Sequence, residues 1–277
     1  MKNIVVTGGS GKAGRATVRE LLEHGYDVLN VDIAPPQEPI ARYLAVDLMQ
    51  LGETIEALTG ADAVVHLAAN PNPQGWTEER MFRHNTTTTY NIFRAAIVLG
   101  LQRVVWASSE TVLGLPFERE PPRYLPIDEE HSLFPESSYA LSKVVSEEMA
   151  RQFSRWSGIP FVGLRFSNIM EPGDYQRFPG FWDDPDKRKR NLWGYVDARD
   201  VAQSCRLGLE ADLAGAEVFI IAAADTVMNQ PNRELMAAVY PGVPLRDGAG
   251  DFDTLLSIDK ARRLLGYAPK HSWRDHV

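Results

Sequence analysis

The segment Asn3-Ile4-Val5-Val6-Thr7-Gly8-Gly9-Ser10-Gly11-Lys12-Ala13-Gly14 passes from a β-branched run straight into a glycine-rich turn and then into a helical pattern. The run predicts a first strand over Ile4–Thr7, and the pattern a helix over Gly11–His24. Glycines at 8, 11 and 14 let the chain turn tightly and bring backbone N–H groups close to a pyrophosphate. The helix that follows adds the positive end of its dipole. The spacing is GxxGxxG, and such a turn alone also serves as a plain tight turn, so its surroundings decide.

Outward from this segment, short β-branched runs alternate with longer helical patterns, the signature of a parallel sheet with crossover helices. Further strands are expected at Val28–Asp32, Tyr43–Val46, Ala63–Leu67, Val104–Ala107 and Phe161–Arg165. Helices are expected at Leu51–Leu58, Thr77–Leu99 and Ser137–Trp156. After Phe166 the pattern turns irregular: a Pro/Gly/Asp-rich loop over Glu171–Asp186, a helix at Ala198–Glu210, a strand at Glu217–Ile221, and short helices near Arg233–Val239 and Asp259–Leu265. Right-handed crossovers between such strands give an α/β fold, a Rossmann-like doubly wound parallel sheet. The expected organisation is a nucleotide-binding core over residues 1–168. A small substrate-binding region over 169–277 returns to complete that core.

Asp32 ends the second strand, where a carboxylate hydrogen-bonds the adenosine ribose hydroxyls and repels a 2′-phosphate; this favours NAD over NADP. Asp47-Leu48 follows the third strand and is placed to meet an adenine. The whole chain, 277 residues with a net charge of −8, argues against a nucleic-acid binder. The run Lys187-Arg188-Lys189-Arg190 is a local exception that also suits a solvated loop. No stretch is long and apolar enough to span a membrane. Met1-Lys2 leads directly into the first strand, unlike a signal peptide. One cysteine, Cys205, excludes an internal disulfide framework and fits a reducing cytoplasm. No metal is expected.

Tyr139-Ala140-Leu141-Ser142-Lys143 sets a phenol and an ammonium one helical turn apart on one face. An unperturbed phenol titrates near ~10, and a nearby ammonium stabilises its ionised form. Ser108 and Ser109 run off the fifth strand at its C-terminal end, where ligands sit in open α/β sheets. Ser109 is preferred as the reactive one, with Ser108 satisfying the strand end.

These residues together make the chain resemble the extended short-chain dehydrogenase/reductase family, also called the NAD-dependent epimerase/dehydratase family. The resemblance covers nearly the whole chain. It rests on the glycine segment, Asp32, Asp47-Leu48, His66-Leu67-Ala68-Ala69, Ala107-Ser108-Ser109, Tyr139-xxx-Lys143, Leu164-Arg165-Phe166-Ser167-Asn168, and Asp259-Lys260-Ala261-Arg262 with Leu265-Gly266-Tyr267. It implies Tyr139 as general base, Lys143 on the nicotinamide ribose and tuning Tyr139, and Ser109 orienting the reacting oxygen. Implied NAD contacts are Gly8, Gly11, Lys12, Ala13, Gly14, Asp32, Ile33, Asp47 and Leu48. Leu67, Ala68, Ala69, Asn85, Tyr139, Lys143 and Phe166 complete that set. Implied substrate contacts are Asn72, Ser109, Glu110, Thr111, Asn168 and Arg190. The resemblance also implies a homodimer through helices 77–99 and 137–156, burying Ile92, Phe93 or similar apolar positions.

Two departures narrow the expected activity. Sugar dehydratases of the family follow the Ser/Thr with Asp-Glu, whereas Ser109 is followed by Glu110-Thr111, which argues against dehydration. Nucleotide-sugar epimerases carry a long insertion before the helix near Asp200, whereas here only Met170–Trp193 is available. The shortened form resembles the uronate dehydrogenase branch, in which an arginine, Arg190 by position, meets a substrate carboxylate. Tyr175, Phe178, Phe181, Trp182 and Trp193 in this segment either face a sugar ring or pack the small region. The expected function is NAD-dependent oxidation of a hydroxyl carbon of a small, anionic, uronate-like sugar. A nucleotide-sugar epimerase with transient NAD reduction is the alternative, and a non-catalytic dinucleotide sensor the third reading.

Overall fold

A computed structural model describes residues 1–71, 75–246 and 248–277. Its main sheet has seven parallel strands in the order β3-β2-β1-β4-β5-β6-β9. These are β1 (Asn3–Thr7), β2 (Asp27–Asp32), β3 (Arg42–Ala45), β4 (Ala63–His66), β5 (Arg103–Ser109), β6 (Phe161–Phe166) and β9 (Ala216–Ile221). The order runs outward in both directions from β1 and β4, so a crevice opens between them at the C-terminal strand ends. The helices α1 (Lys12–Glu23), α2 (Leu51–Leu58), α3 (Glu78–Leu99), α4 (Ser138–Ser157) and α5 (Ala198–Glu210) cover the two faces. Short α6 (Asn232–Val239) and α7 (Asp259–Leu265) follow β9. The expected elements appear at their positions, with ends shifted by a residue or two.

Consecutive strand residues feed opposite cores. Ile4 and Val6 pack with Val18 and Leu21 of α1 and Val201, Cys205 and Leu209 of α5. Val5 packs on the other face with Leu58, Ile92, Phe93 and Phe153 of α2, α3 and α4. In β5, Val105 joins the first core while Val104 and Trp106 join the second. Burial on both faces explains the nearly unbroken apolar strands. The helix starts are marked locally: Thr77 accepts from Arg80 N ahead of α3, and Ser137 from Ala140 N ahead of α4, each satisfying an otherwise orphaned donor. Gly100 and Gly158 end these helices in the left-handed region.

Three features differ from the sequence expectations. The stretch after β6 adds a second small sheet, β7 (Ile169–Met170) paired with β8 (Val196–Asp197). The expected loop over Glu171–Asp186 is largely 3₁₀ helix, at Pro172–Phe181 and Pro185–Lys187. Ile92 and Phe93 are fully buried in the protein's own core, so they cannot form a contact with a second copy. The outer side of the α3/α4 layer instead exposes Tyr90, Val98, Leu141 and Trp156. No helix among the described residues is long and apolar enough to cross a membrane.

Candidate active site

A cleft of about 820 Å³ lies at the C-terminal ends of the strands. Its nucleotide half is shaped by glycine. Gly8 has φ +70°, and a Cβ there would stand 2.6 Å from Ala68 N; one on Gly14 would stand 2.1 Å from Gly8 O. Only glycine allows these close approaches. No side chain caps the N-terminus of α1 at Gly11, which leaves its N–H groups to an anion. Asp32 is held in place by Ser10 N (3.0 Å) and Ala34 N (3.2 Å) on its two oxygens. Exposed Ile33 and buried Val46 and Leu48 line the cleft beside it. An uncapped helix start, a glycine cradle and a fixed carboxylate suit the pyrophosphate, ribose and adenine of a dinucleotide. Lys12 lines the same half and pairs with Asp174, while Arg15 pairs with Glu171 at 2.8 Å. The two ion pairs fasten the segment after β7 to α1.

At the other end, the two serines of β5 separate in role. Ser108 Oγ donates to Glu147 Oε1 at 2.7 Å, and Glu147 takes two 2.8 Å hydrogen bonds from Arg165. Ser108, Glu147 and Arg165 are all buried, so this group ties β5, α4 and β6 together. Ser109 accepts from Thr111 N and Thr111 Oγ1 and hydrogen-bonds the Tyr139 phenol. Lys143 Nζ donates to Ala107 O at 2.8 Å and lies 5.7 Å from the Tyr139 ring centroid. Burial lowers Lys143 to about 8, against the pull of Glu147. Burial likewise pushes Tyr139 up to about 12, with Ser109 opposing and Glu110 adding. The expected lowering of the phenol is not seen: desolvation dominates, and the group that opposes it is Ser109, not Lys143.

Glu110 is also buried, and burial raises it to about 7 against Ser167, Asn191 and Arg188. Beneath the nucleotide half, His66 bridges Thr7 Oγ1 (2.7 Å) and Thr89 Oγ1 (3.3 Å). Burial, with Lys143 and His84 nearby, holds it neutral, at about 3.

The cleft is lined by Gly8, Gly11, Lys12, Ala13, Gly14, Asp32, Ile33, Asp47, Leu48, Leu67, Ala68, Ala69 and Phe166. Ser109, Glu110, Tyr139, Lys143, Asn168 and Arg190 line it as well. Asn85 does not reach it. Its side chain brackets the backbone of Asn70, accepting from the N–H and donating to the C=O, and so shapes the loop after β4 from behind. Thr111 is spent on Ser109 and is likewise off the wall. Asn72 lies outside the described residues. Tyr175, Phe178 and Trp193 are buried in the core, with Phe181 and Trp182 packed against it. None of these five aromatics lines the cleft. Sequence reasoning missed His84 and Thr88, whose spacing of one turn on α3 offered a signal. It also missed Ser167 and Asn191, each adjacent to a residue that was singled out.

With the geometry in view, comparison with known proteins gives a consistent picture. A protein of Methanocaldococcus jannaschii named "Putative UDP-glucose 4-epimerase" is 34% identical over 176 residues, 60% of this chain and 55% of that relative. The match therefore spans about half of that relative's length. An L-arabinose 1-dehydrogenase (NAD(P)(+)) of Haloferax volcanii is 27% identical over 278 residues, covering 98% and 97% of the two chains. A short-chain dehydrogenase/reductase superfamily protein from Agrobacterium tumefaciens, solved with bound NAD, superposes with a TM-score of 0.76 at 25% identity. That superposition covers 98% of this chain and 94% of the other. The profile of the NAD dependent epimerase/dehydratase family matches residues 4–222, from β1 to just past β9. The chain belongs to the NAD-dependent epimerase/dehydratase family, with NAD as its cofactor.

Proposed function

We propose that this enzyme oxidises a hydroxyl carbon of a small, free, anionic sugar of the uronate type, with Tyr139 as general base. The observation that carries the reading is how the segment between β7 and β8 is used. Its aromatics are spent in the core, and it gives the cleft only Arg190 and Asn191, which leaves little to clamp a nucleotide diphosphate. Arg190 is exposed on the cleft wall and makes no ion pair with any described residue. A planar guanidinium so placed takes a carboxylate through two parallel hydrogen bonds.

NAD held by the glycine cradle and Asp32 would supply the hydride acceptor. The chain supplies the rest. Tyr139 takes the proton of the substrate hydroxyl as the carbon–hydrogen bond breaks, and Ser109 donates to the oxygen as it becomes a carbonyl. Lys143, while protonated, stabilises the ionised phenol and binds the nicotinamide ribose. Gly8–Gly14, Asp32 and the Leu67–Ala69 stretch hold the dinucleotide. Asn85 acts through the Asn70 loop.

A panel of uronates, aldoses, sugar phosphates and nucleotide sugars, followed by NADH absorbance, tests the reading. Net NADH release with a uronate supports it. Interconversion of a nucleotide sugar without net NADH supports the second reading, an epimerase, which the Methanocaldococcus relative's name favours. Arg190→Ala separates the charge question: it should raise the Michaelis constant for a uronate far more than for the neutral aldose. An equal effect on both would remove Arg190 from the substrate.

A further inference from the structure

Lys12 is the first residue of α1 and stands on the nucleotide half of the cleft. Its Nζ lies 2.5 Å from Asp174 Oδ2, in the segment that follows β7. Asp174 has other partners as well. Its Oδ2 also accepts from Glu171 N at 2.9 Å, and Arg177 Nη1 stands 3.8 Å from Oδ1. Burial pushes this carboxyl up, but the hydrogen bonds from Lys12 and Glu171 N and the charges of Lys12 and Arg177 more than reverse that and hold it below the usual carboxylate range. Asp174 therefore stays ionised at neutral pH, against the same end of α1 that suits a pyrophosphate.

One turn further along α1, Arg15 makes a different kind of tie. Its Nη2 is 2.8 Å from Glu171 Oε1, and its Nη1 is 3.4 Å from Ser10 O. Arg15 and Glu171 line a neighbouring pocket of about 250 Å³ rather than the cleft. Tyr175 and Phe178, which follow, are fully buried. The segment thus stays fastened through Arg15 and these aromatics whether or not Lys12 holds Asp174. The Lys12–Asp174 pair is the loose half: Lys12 lines the cleft, and its side chain is 37% exposed. A partly exposed pair of this kind is worth little, and Asp174 keeps Glu171 N and Arg177 when Lys12 leaves.

The uncapped N-terminus of α1 would receive two negative charges from a pyrophosphate, whereas Asp174 offers one. Lys12 cannot serve both fully, and the two anions repel each other across it. Resting on the reading of a dehydrogenase that releases NADH at each turnover, we propose that Asp174 competes with the dinucleotide pyrophosphate for Lys12 and so speeds the release of NADH. Lys12 leaves Asp174 when the dinucleotide arrives and returns to it as the dinucleotide departs. An enzyme of net oxidation gains from such a competitor, because its reduced cofactor must leave before the next cycle. An epimerase that regenerates NAD in place has no use for one.

The test is a double-mutant cycle of wild type, Asp174→Asn, Lys12→Met and the double variant, with NADH as the ligand and no sugar present. Dissociation constants come from NADH fluorescence, and release rates from stopped-flow displacement by excess NAD. At low salt Asp174→Asn should bind NADH about 3- to 5-fold more tightly, nearly all of it as slower release. Lys12→Met should weaken binding about 10-fold. In that background Asp174→Asn should change it by less than about 1.5-fold. At roughly 0.5 M salt the gain in Asp174→Asn should shrink, because exposed pairs are screened. An Asp174→Asn enzyme that holds NADH no tighter, or more weakly, as loss of a purely structural tie would give, overturns the proposal. So does an equal gain in the Lys12→Met background, which would mark plain repulsion that bypasses the lysine. No sugar enters these measurements, so a failure of the substrate reading shows only in the substrate panel, and a failure of the competition only here.

Discussion

Glu147→Gln tests how the scaffold under the site feeds the chemistry. Glu147 is buried, receives both Arg165 hydrogen bonds and one from Ser108, and favours the charged form of Lys143. The substitution keeps the shape and an acceptor for Ser108, but it strands the Arg165 cation in the core. Breaking one side of a buried pair costs about 3–5 kcal/mol. At about 2–4 °C per kcal/mol for a domain of this size, the melting temperature should fall by roughly 6–20 °C. A second effect is chemical. Lys143 is depressed by burial to about 8, and Glu147 opposes that depression. Without the carboxylate the ammonium titrates at still lower pH. The form that supports an ionised Tyr139 is present below the lysine pKa and lost above it, so the alkaline fall of kcat/KM should move to lower pH. Calorimetry gives the first number, and initial rates of NADH formation from neutral to alkaline pH give the second. Arg165→Met added to Glu147→Gln should restore much of the stability, because the stranded charge is gone, but should leave the pH limb displaced. A melting temperature that moves by less than roughly 2 °C, or an alkaline limb that stays in place, would refute the argument.

Asp32→Ala should cut kcat/KM with NAD by roughly 10- to 100-fold through lost hydrogen bonds to a charged acceptor, with a smaller loss for NADP; matched losses would show that Asp32 does not meet the ribose. Tyr139→Phe should lower kcat by about 100- to 10,000-fold, the usual worth of a positioned acid or base, while the NAD dissociation constant, read by fluorescence quenching, barely moves. We expect a second copy of the chain to cover the exposed face of α3 and α4, so Trp156→Glu with Leu141→Lys should convert a dimer to a monomer in sedimentation velocity. A wild-type monomer at micromolar concentration would defeat that expectation.

The fold was legible because its signals are local and redundant. Ile4, Val5 and Val6 read as a strand whichever face each one serves, and Gly8 and Gly14 sit where a Cβ would strike backbone. Thr77 and Ser137 announce their helices before the first turn is complete. What eluded the sequence was side-chain direction. The stretch Thr77–Leu99 reads as one long helix, yet the pattern did not reveal that Ile92 and Phe93 turn inward while Tyr90 turns outward. Asn85 lies in the right helix but serves the cleft through the Asn70 backbone. In the run Lys187–Arg190, two arginines part company, Arg188 entering the core and Arg190 the cleft wall, because a 3₁₀ turn over Lys189–Asn191 starts between them and closes on the left-handed Leu192 and Trp193. Such a backbone has no signature in residues as ordinary as Leu192 and Trp193. The buried aromatics between β7 and β8 were ambiguous for a related reason: Tyr175 and Phe178 suit a sugar ring and a core equally well.

The alternation along β1, β5 and β6 bears on how such an enzyme can be retargeted. Each step along a strand changes which of two cores is disturbed, so a library spread through Val104, Val105 and Trp106 would sample damage in both layers without touching a ligand. Freedom begins where pairing ends, at Glu110 and at Ser167-Asn168, and continues in the part of the segment between β7 and β8 that faces the cleft, Arg190-Asn191. Variation confined to those few strand ends and that segment explores new substrates on an unchanged chassis. The same limit lets related chains diverge in the sugar they accept while keeping one sheet.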